Sequence, residues 1–79
     1  RFDIEGAQAE VSLYLAPDRH GKGLGTQLLL QGERQLSQEC PKVLKIIATV
    51  LEGNEASHRL FRRCGYRFDD SIYIKIIQA

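Results

Sequence analysis

Residues 17–36 read PDRHGKGLGTQLLLQGERQL, and Gly21, Gly23 and Gly25 fall at alternate positions directly ahead of a run of helix formers. Each glycine lowers helix stability by roughly 1 kcal/mol against alanine, so three at a helix mouth imply that something must come close to the main chain. The preceding segment, AEVSLYL, alternates Val11, Leu13 and Leu15 with Glu10, Ser12 and Tyr14, the period of a strand with one buried face. Strand, glycine turn and helix in succession point to an α/β or mixed α+β domain. They also form an anion site. Unpaired amides at a helix start point outward, the helix dipole favours negative charge there, and bare α-carbons let a phosphate rest on the backbone. A tight turn with capping glycines is the plainer alternative.

The rest of the chain completes the order β-β-α-β-α-β-β. RFDI reads as a short strand and EGAQ as a turn. A helix is expected from Gly23 to about Gln38, with Leu24, Leu28 and Leu36 on one stripe and Leu29 beside it. Cys40-Pro41 ends it, because the residue before proline avoids the helical region. KVLKIIATVL suits a strand buried on both faces. In EGNEASHRLFRRCG, Asn54 is a good N-cap, Glu55 complements the dipole and Gly65 stands where a C′ glycine stops a helix. Leu60, Phe61 and Cys64 should face inward, and His58, Arg59, Arg62 and Arg63 mostly toward water. YRF and SIYIKIIQ make a hairpin around Asp69, Asp70 and Ser71.

A chain of 79 residues is one small domain or a piece of one, and at that length only about 60–65% of the unfolded surface is buried. It contains no Met and opens on RFDIEG, so a segment of a longer polypeptide is expected. A formal net charge of +1 gives no case for a nucleic-acid partner. No apolar run approaches the ~18 residues of a membrane span. Cys40 and Cys64 lack CxxC or CxxH spacing and read as reduced thiols of a cytoplasmic protein, with no metal site.

The Walker pattern GxxxxGK[ST] has no match, the dinucleotide fingerprint would need glycine where Thr26 stands, and no two glycines of this loop have the spacing of a GxxG clamp. HGKGLGTQLL instead resembles the acetyl-CoA pyrophosphate loop of the GNAT family of N-acetyltransferases, [QR]-x-x-G-x-[GA] between strand and helix. His20 occupies the position usually held by Gln or Arg. GNEASHRLFRRCGY, residues 53–66, resembles the second motif of that family, N-x-x-[AS]-x-x-[LF]-[YF]-x-x-x-G-[FY]. The resemblance covers roughly residues 8–78, the C-terminal half of the family's usual length. Residues 1–79 therefore read as the C-terminal portion of an acyl-CoA N-acyltransferase-like domain, without the family's first strand and first two helices.

The resemblance implies roles for particular residues. Leu13 and Leu15 would offer main-chain groups to the pantetheine arm, with core packing as an additional or alternative use. His20, Gly21, Lys22, Gly23, Gly25 and Thr26 would cradle the pyrophosphate, Thr26 through its hydroxyl or as a plain first-turn residue. Asn54 would contact acetyl-CoA near the pantetheine end, or cap its helix. Arg59, Arg62 and Arg63 read as a solvent-facing stripe, the alternative being approach to the 3′-phosphate. Glu10 is the best-placed general base for the attacking amine, acting through water, the alternative being a solvent-facing strand carboxylate with no function. Phe61 stands where the family often has a tyrosine acid, which leaves Tyr66, Tyr73 or unaided departure of the thiolate. The implied function is transfer of acetyl from acetyl-CoA to a primary amine of a small molecule, an amino-sugar being one candidate, by direct attack. A non-catalytic acyl-CoA-binding or oligomerising module is the alternative, and an exposed sheet edge would allow a homodimer.

Overall fold

A computed structural model describes residues 2–12 and 24–78. Within them the order is β1 (Phe2–Glu5), β2 (Gln8–Val11), α1 (Leu24–Glu39), β3 (Lys45–Thr49), α2 (Glu55–Arg63), β4 (Arg67–Asp69) and β5 (Ile72–Ile76). This is the β-β-α-β-α-β-β succession read from the sequence. The five strands form one mixed sheet in the order β1-β2-β3-β5-β4. The β2–β3 pair is parallel and is bridged by α1; the other three pairs are antiparallel.

Two tight hairpins close the sheet. Glu5 pairs with Gln8, leaving Gly6 and Ala7 as a two-residue loop in which only Gly6 has positive φ (63°), as a type II′ turn requires. Asp69 pairs with Ile72 across Asp70 and Ser71, both at positive φ (48° and 75°), the pattern of a type I′ turn.

Register assigns the faces. Phe2 opposes Val11, Ala9 opposes Ile46, and Ala48 opposes Tyr73, which opposes Phe68. Alternation therefore puts Phe2, Ala9, Val11, Ile46, Ala48, Tyr73 and Lys75 on one face. Both helices lie over that face. A Cβ on Gly32 of α1 would come within 2.9 Å of the Phe2 ring, and Leu29, Leu36, Leu60, Phe61 and Cys64 join the strand residues in a single buried core. Full burial of each Leu or Phe contributes about 1.5–3 kcal/mol.

Two packing expectations need correction. Leu28 is 60% exposed, whereas Leu29 and Leu36 are buried; the inward seam of α1 runs Thr26, Leu29, Glu33, Leu36 at helical spacing, not through Leu28. Strand β3 is not buried equally on its two faces: Ile46 and Ala48 are buried, but Lys45 and Ile47 are half-buried and Thr49 is exposed. Among the described residues, α1 and α2 cover one face only.

The end of α2 follows from its sequence. Gly65 N–H donates to the Arg62 carbonyl at 3.1 Å and Tyr66 N–H to the Phe61 carbonyl at 2.9 Å. With Gly65 at φ 90°, this is the paired bonding of a Schellman stop, open to glycine because it has no Cβ. At the other end the Asn54 Oδ1 accepts the Ser57 N–H at 3.3 Å.

Candidate functional site

Helix α1 begins Leu24-Gly25-Thr26-Gln27 with no acidic residue in its first turn, which leaves the positive end of its dipole uncancelled. Gly25 and Thr26 are thus where the sequence reading put them, in the first turn of a 16-residue helix. Leu13, Leu15, His20, Gly21, Lys22 and Gly23 lie outside the described residues.

The last turn of α2 meets this helix mouth. Arg63 Nη1 stands 3.4 Å from Thr26 Oγ1, a long contact. Burial, then the charge of Glu33, pushes the Cys64 thiol above its ordinary value of 9.0, against smaller opposing effects from Lys75, Thr26 and Arg63. Arg63 is exposed, as expected of a residue facing mostly toward water, and it makes this contact as well. The signal was its position beside Cys64 and Gly65, at the end of α2 that folds back toward α1.

Asn54 occupies the opposite end of α2. Its cap uses the amide oxygen, which leaves the two Nδ2–H donors for another partner. Capping and ligand contact therefore do not compete for one atom. The nine residues of α2 separate Asn54 from Arg63 by about 14 Å along the axis.

Glu10 sits on β2 between Asp3 and Ile47 and is exposed on the sheet face away from the helices. It lines a recess of about 310 Å³ with Asp3, Ile4, Glu5 and Gln8. The structure does not bring Glu10 together with Gly25, Thr26 or Asn54 on one face. Glu10 is on a strand, whereas Gly25 and Thr26 belong to α1 and Asn54 caps α2.

The tyrosines are engaged elsewhere. Phe61 is buried, edge-on to Tyr66 with ring centres 5.0 Å apart and stacked on Tyr73 at 5.7 Å. Tyr66 donates its hydroxyl to Glu33 Oε2 at 2.6 Å, and Lys75 Nζ lies 2.7 Å from Glu33 Oε1. Burial, then that hydrogen bond, pushes Tyr66 far above its ordinary value, which makes it a poor proton donor. Tyr73 is wholly buried and its hydroxyl shares a 2.6 Å hydrogen bond with His58 Nδ1. His58 is half-buried and packs edge-on against Phe68 as well, so the expectation that it faces water is corrected. Cys40 and Cys64 are free thiols. Among the described residues no group of three or more His, Cys, Asp or Glu forms a metal site, and no helix is long and apolar enough to cross a membrane.

Three comparisons bear on this arrangement. Residues 3–66 match the model of the Acetyltransferase (GNAT) family. The chain is 42% identical over 59 residues to an N-acetyltransferase of Streptomyces griseus, an alignment covering 75% of this chain and 29% of that protein. The fold superimposes with a TM-score of 0.70 on the crystal structure of aminoglycoside acetyltransferase AAC(6')-Ib in complex with coenzyme A. That match is 20% identical and covers 89% of this chain and 46% of the other; at such identity the likeness is one of fold. The chain thus spans less than half the length of each of these two proteins. With a mixed five-stranded sheet, two helices in the expected order and a family match across most of its length, the chain belongs to the Acetyltransferase (GNAT) family.

Proposed function

We propose that residues 1–79 are the C-terminal, cofactor-binding portion of a cytoplasmic N-acetyltransferase that uses acetyl-CoA to acetylate a primary amine of a small molecule. The observation that carries this reading is the family match over residues 3–66, and the first turn of α1 fits the cofactor: it holds Gly25 and Thr26 and no acid. When bound, acetyl-CoA supplies an acetyl group activated as a thioester. Main-chain amides of residues 20–26 hold its pyrophosphate, with Lys22 and His20 flanking. Leu13 and Leu15 offer backbone groups to the pantetheine arm, and Asn54 donates its amide N–H groups near the arm's far end. Glu10 would take the amine proton through water as nitrogen attacks the acyl carbon directly. The carbon–sulfur bond would break and coenzyme A leave as its thiolate, so that no acyl group passes to the protein. An amino-sugar acceptor is supported by the fold neighbour, which is named as an aminoglycoside enzyme.

The second reading is a non-catalytic acyl-CoA-binding module, with β1 at the sheet edge pairing with a second copy. Phe61 favours it, because a buried phenyl ring stands at the family's acid position. The two readings separate in one assay series on the complete protein. Titration with coenzyme A should shift the amide signals of residues 20–26, and Glu10→Gln should lower kcat for acetyl transfer at least tenfold. Binding without any turnover to lose selects the non-catalytic module; unmoved amides overturn both readings.

A further inference from the structure

A helix mouth offers about half a positive charge, whereas a diphosphate diester carries two negative ones. The first turn of α1, Leu24-Gly25-Thr26-Gln27, contains no cation, and with the Lys22 assigned above counted the positive charge still falls short of two. The structure brings one from elsewhere in the chain. The Schellman stop at Gly65 fixes where α2 ends, and there Arg63 Nη1 stands 3.4 Å from Thr26 Oγ1. That contact joins the last turn of α2 to the first turn of α1. Contact with a neutral hydroxyl at this distance is a weak use of a guanidinium. Four further N–H donors of the fork are suited to bidentate recognition of phosphate oxygens.

We propose that Arg63 is a cofactor-binding residue, its guanidinium moving from Thr26 onto the pyrophosphate of coenzyme A held at the first turn of α1. The inference rests on the acetyl-CoA reading above. Pyrophosphate, rather than the 3′-phosphate, is the assigned partner because Thr26 belongs to the turn whose amides receive the diphosphate. Arg62 is one position away, some 100° around the helix, and serves as a control for general charge.

The test is calorimetric titration of the complete protein with coenzyme A and with dephospho-coenzyme A, which lacks only the 3′-phosphate. Arg63→Ala should weaken both ligands about 5–10-fold, the scale of one partly exposed charge-assisted contact. Arg63→Lys should recover part of the loss, Arg62→Ala should stay within about twofold of the parent, and the Arg63→Ala deficit should shrink between about 0.05 and 0.5 M salt. An Arg63→Ala protein that binds both ligands like the parent overturns the assignment. So does a deficit confined to coenzyme A, which would put Arg63 on the 3′-phosphate. If the parent protein binds neither ligand, the acetyl-CoA reading itself fails. A parent that binds beside an unaffected variant fails this proposal alone.

Discussion

Tyr66 and Glu33, 33 positions apart in the sequence, meet in the core at 2.6 Å, hydroxyl to carboxylate. Lys75 completes the cluster from β5 at 2.7 Å and lies 5.6 Å from the centre of the Tyr66 ring. Three elements are thereby joined at one buried carboxyl group: α1, the turn after α2, and the sheet. Thr26 lies two turns before Glu33 on the same side of α1, so the cluster also fixes the rotation of the helix mouth.

Removing the charge should be costly. Glu33→Leu leaves the Lys75 ammonium and the Tyr66 hydroxyl without their acceptor, and a loss of about 2–3 kcal/mol is expected, toward the low side for a buried pair because Lys75 is partly solvated. Urea denaturation of the parent, Glu33→Leu, Lys75→Met and the double variant checks this. The double variant should be more stable than Glu33→Leu alone. An additive double variant would show that the pair contributes no coupling.

Alkaline pH should destabilise the fold. Tyr66 and Cys64 are both held above their ordinary values, 10.0 and 9.0, mainly by burial. A group raised in the folded state keeps its proton there while the unfolded chain releases it. Its contribution is whole below the unfolded value and falls as pH rises toward the folded one. Stability should therefore decline from about pH 9 upward, first through Cys64 and then through Tyr66. Urea midpoints between pH 8 and 11 measure the decline, and Tyr66→Phe should flatten its upper part. An unchanged slope in that variant would remove Tyr66 as the cause.

The Asp70–Ser71 turn offers a stabilising change. Ser71 has φ 75°, a region that strains a residue bearing a Cβ and suits glycine. Ser71→Gly should raise stability by about 0.5–1 kcal/mol, which thermal unfolding would register as an upward shift in Tm. A fall in Tm would mean that the lost chain stiffness outweighs the relieved strain.

Asn54→Ser separates two uses of one side chain. Serine retains an N-cap acceptor, so stability should change by less than about 0.5 kcal/mol. Serine lacks the amide N–H donors, so coenzyme A affinity should fall several-fold. Unchanged affinity would leave Asn54 as a cap alone.

Seven elements were legible in the sequence because each carried a local signal: the alternation in β2, the apolar run of β3, Asn54 and Gly65 around α2, and Asp70–Ser71 between β4 and β5. The misreadings concern residues whose surroundings come from distant parts of the chain. Glu33 carries no local signal of its partner, because Lys75 lies 42 residues on. His58 reads as solvent-facing until Tyr73 supplies its partner. Spacing sets Leu28 on the stripe with Leu29 beside it, and only the placement of α1 over Phe2 and the sheet reverses the two. For the site, Gly25, Thr26 and Asn54 were readable as helix-end residues. The approach of Arg63 to Thr26 depends on how two helices pack, which no local pattern encodes.

Helix α2 is locked at both ends, by a side-chain cap at Asn54 and by the backbone stop at Gly65. Neither end is free to fray, so the distance between its two termini acts as a gauge block of fixed size. Inserting or deleting a single residue between the locks would change that gauge by one step and turn one end relative to the other by about 100°. Variation in α2 is thus confined to substitutions that keep its length.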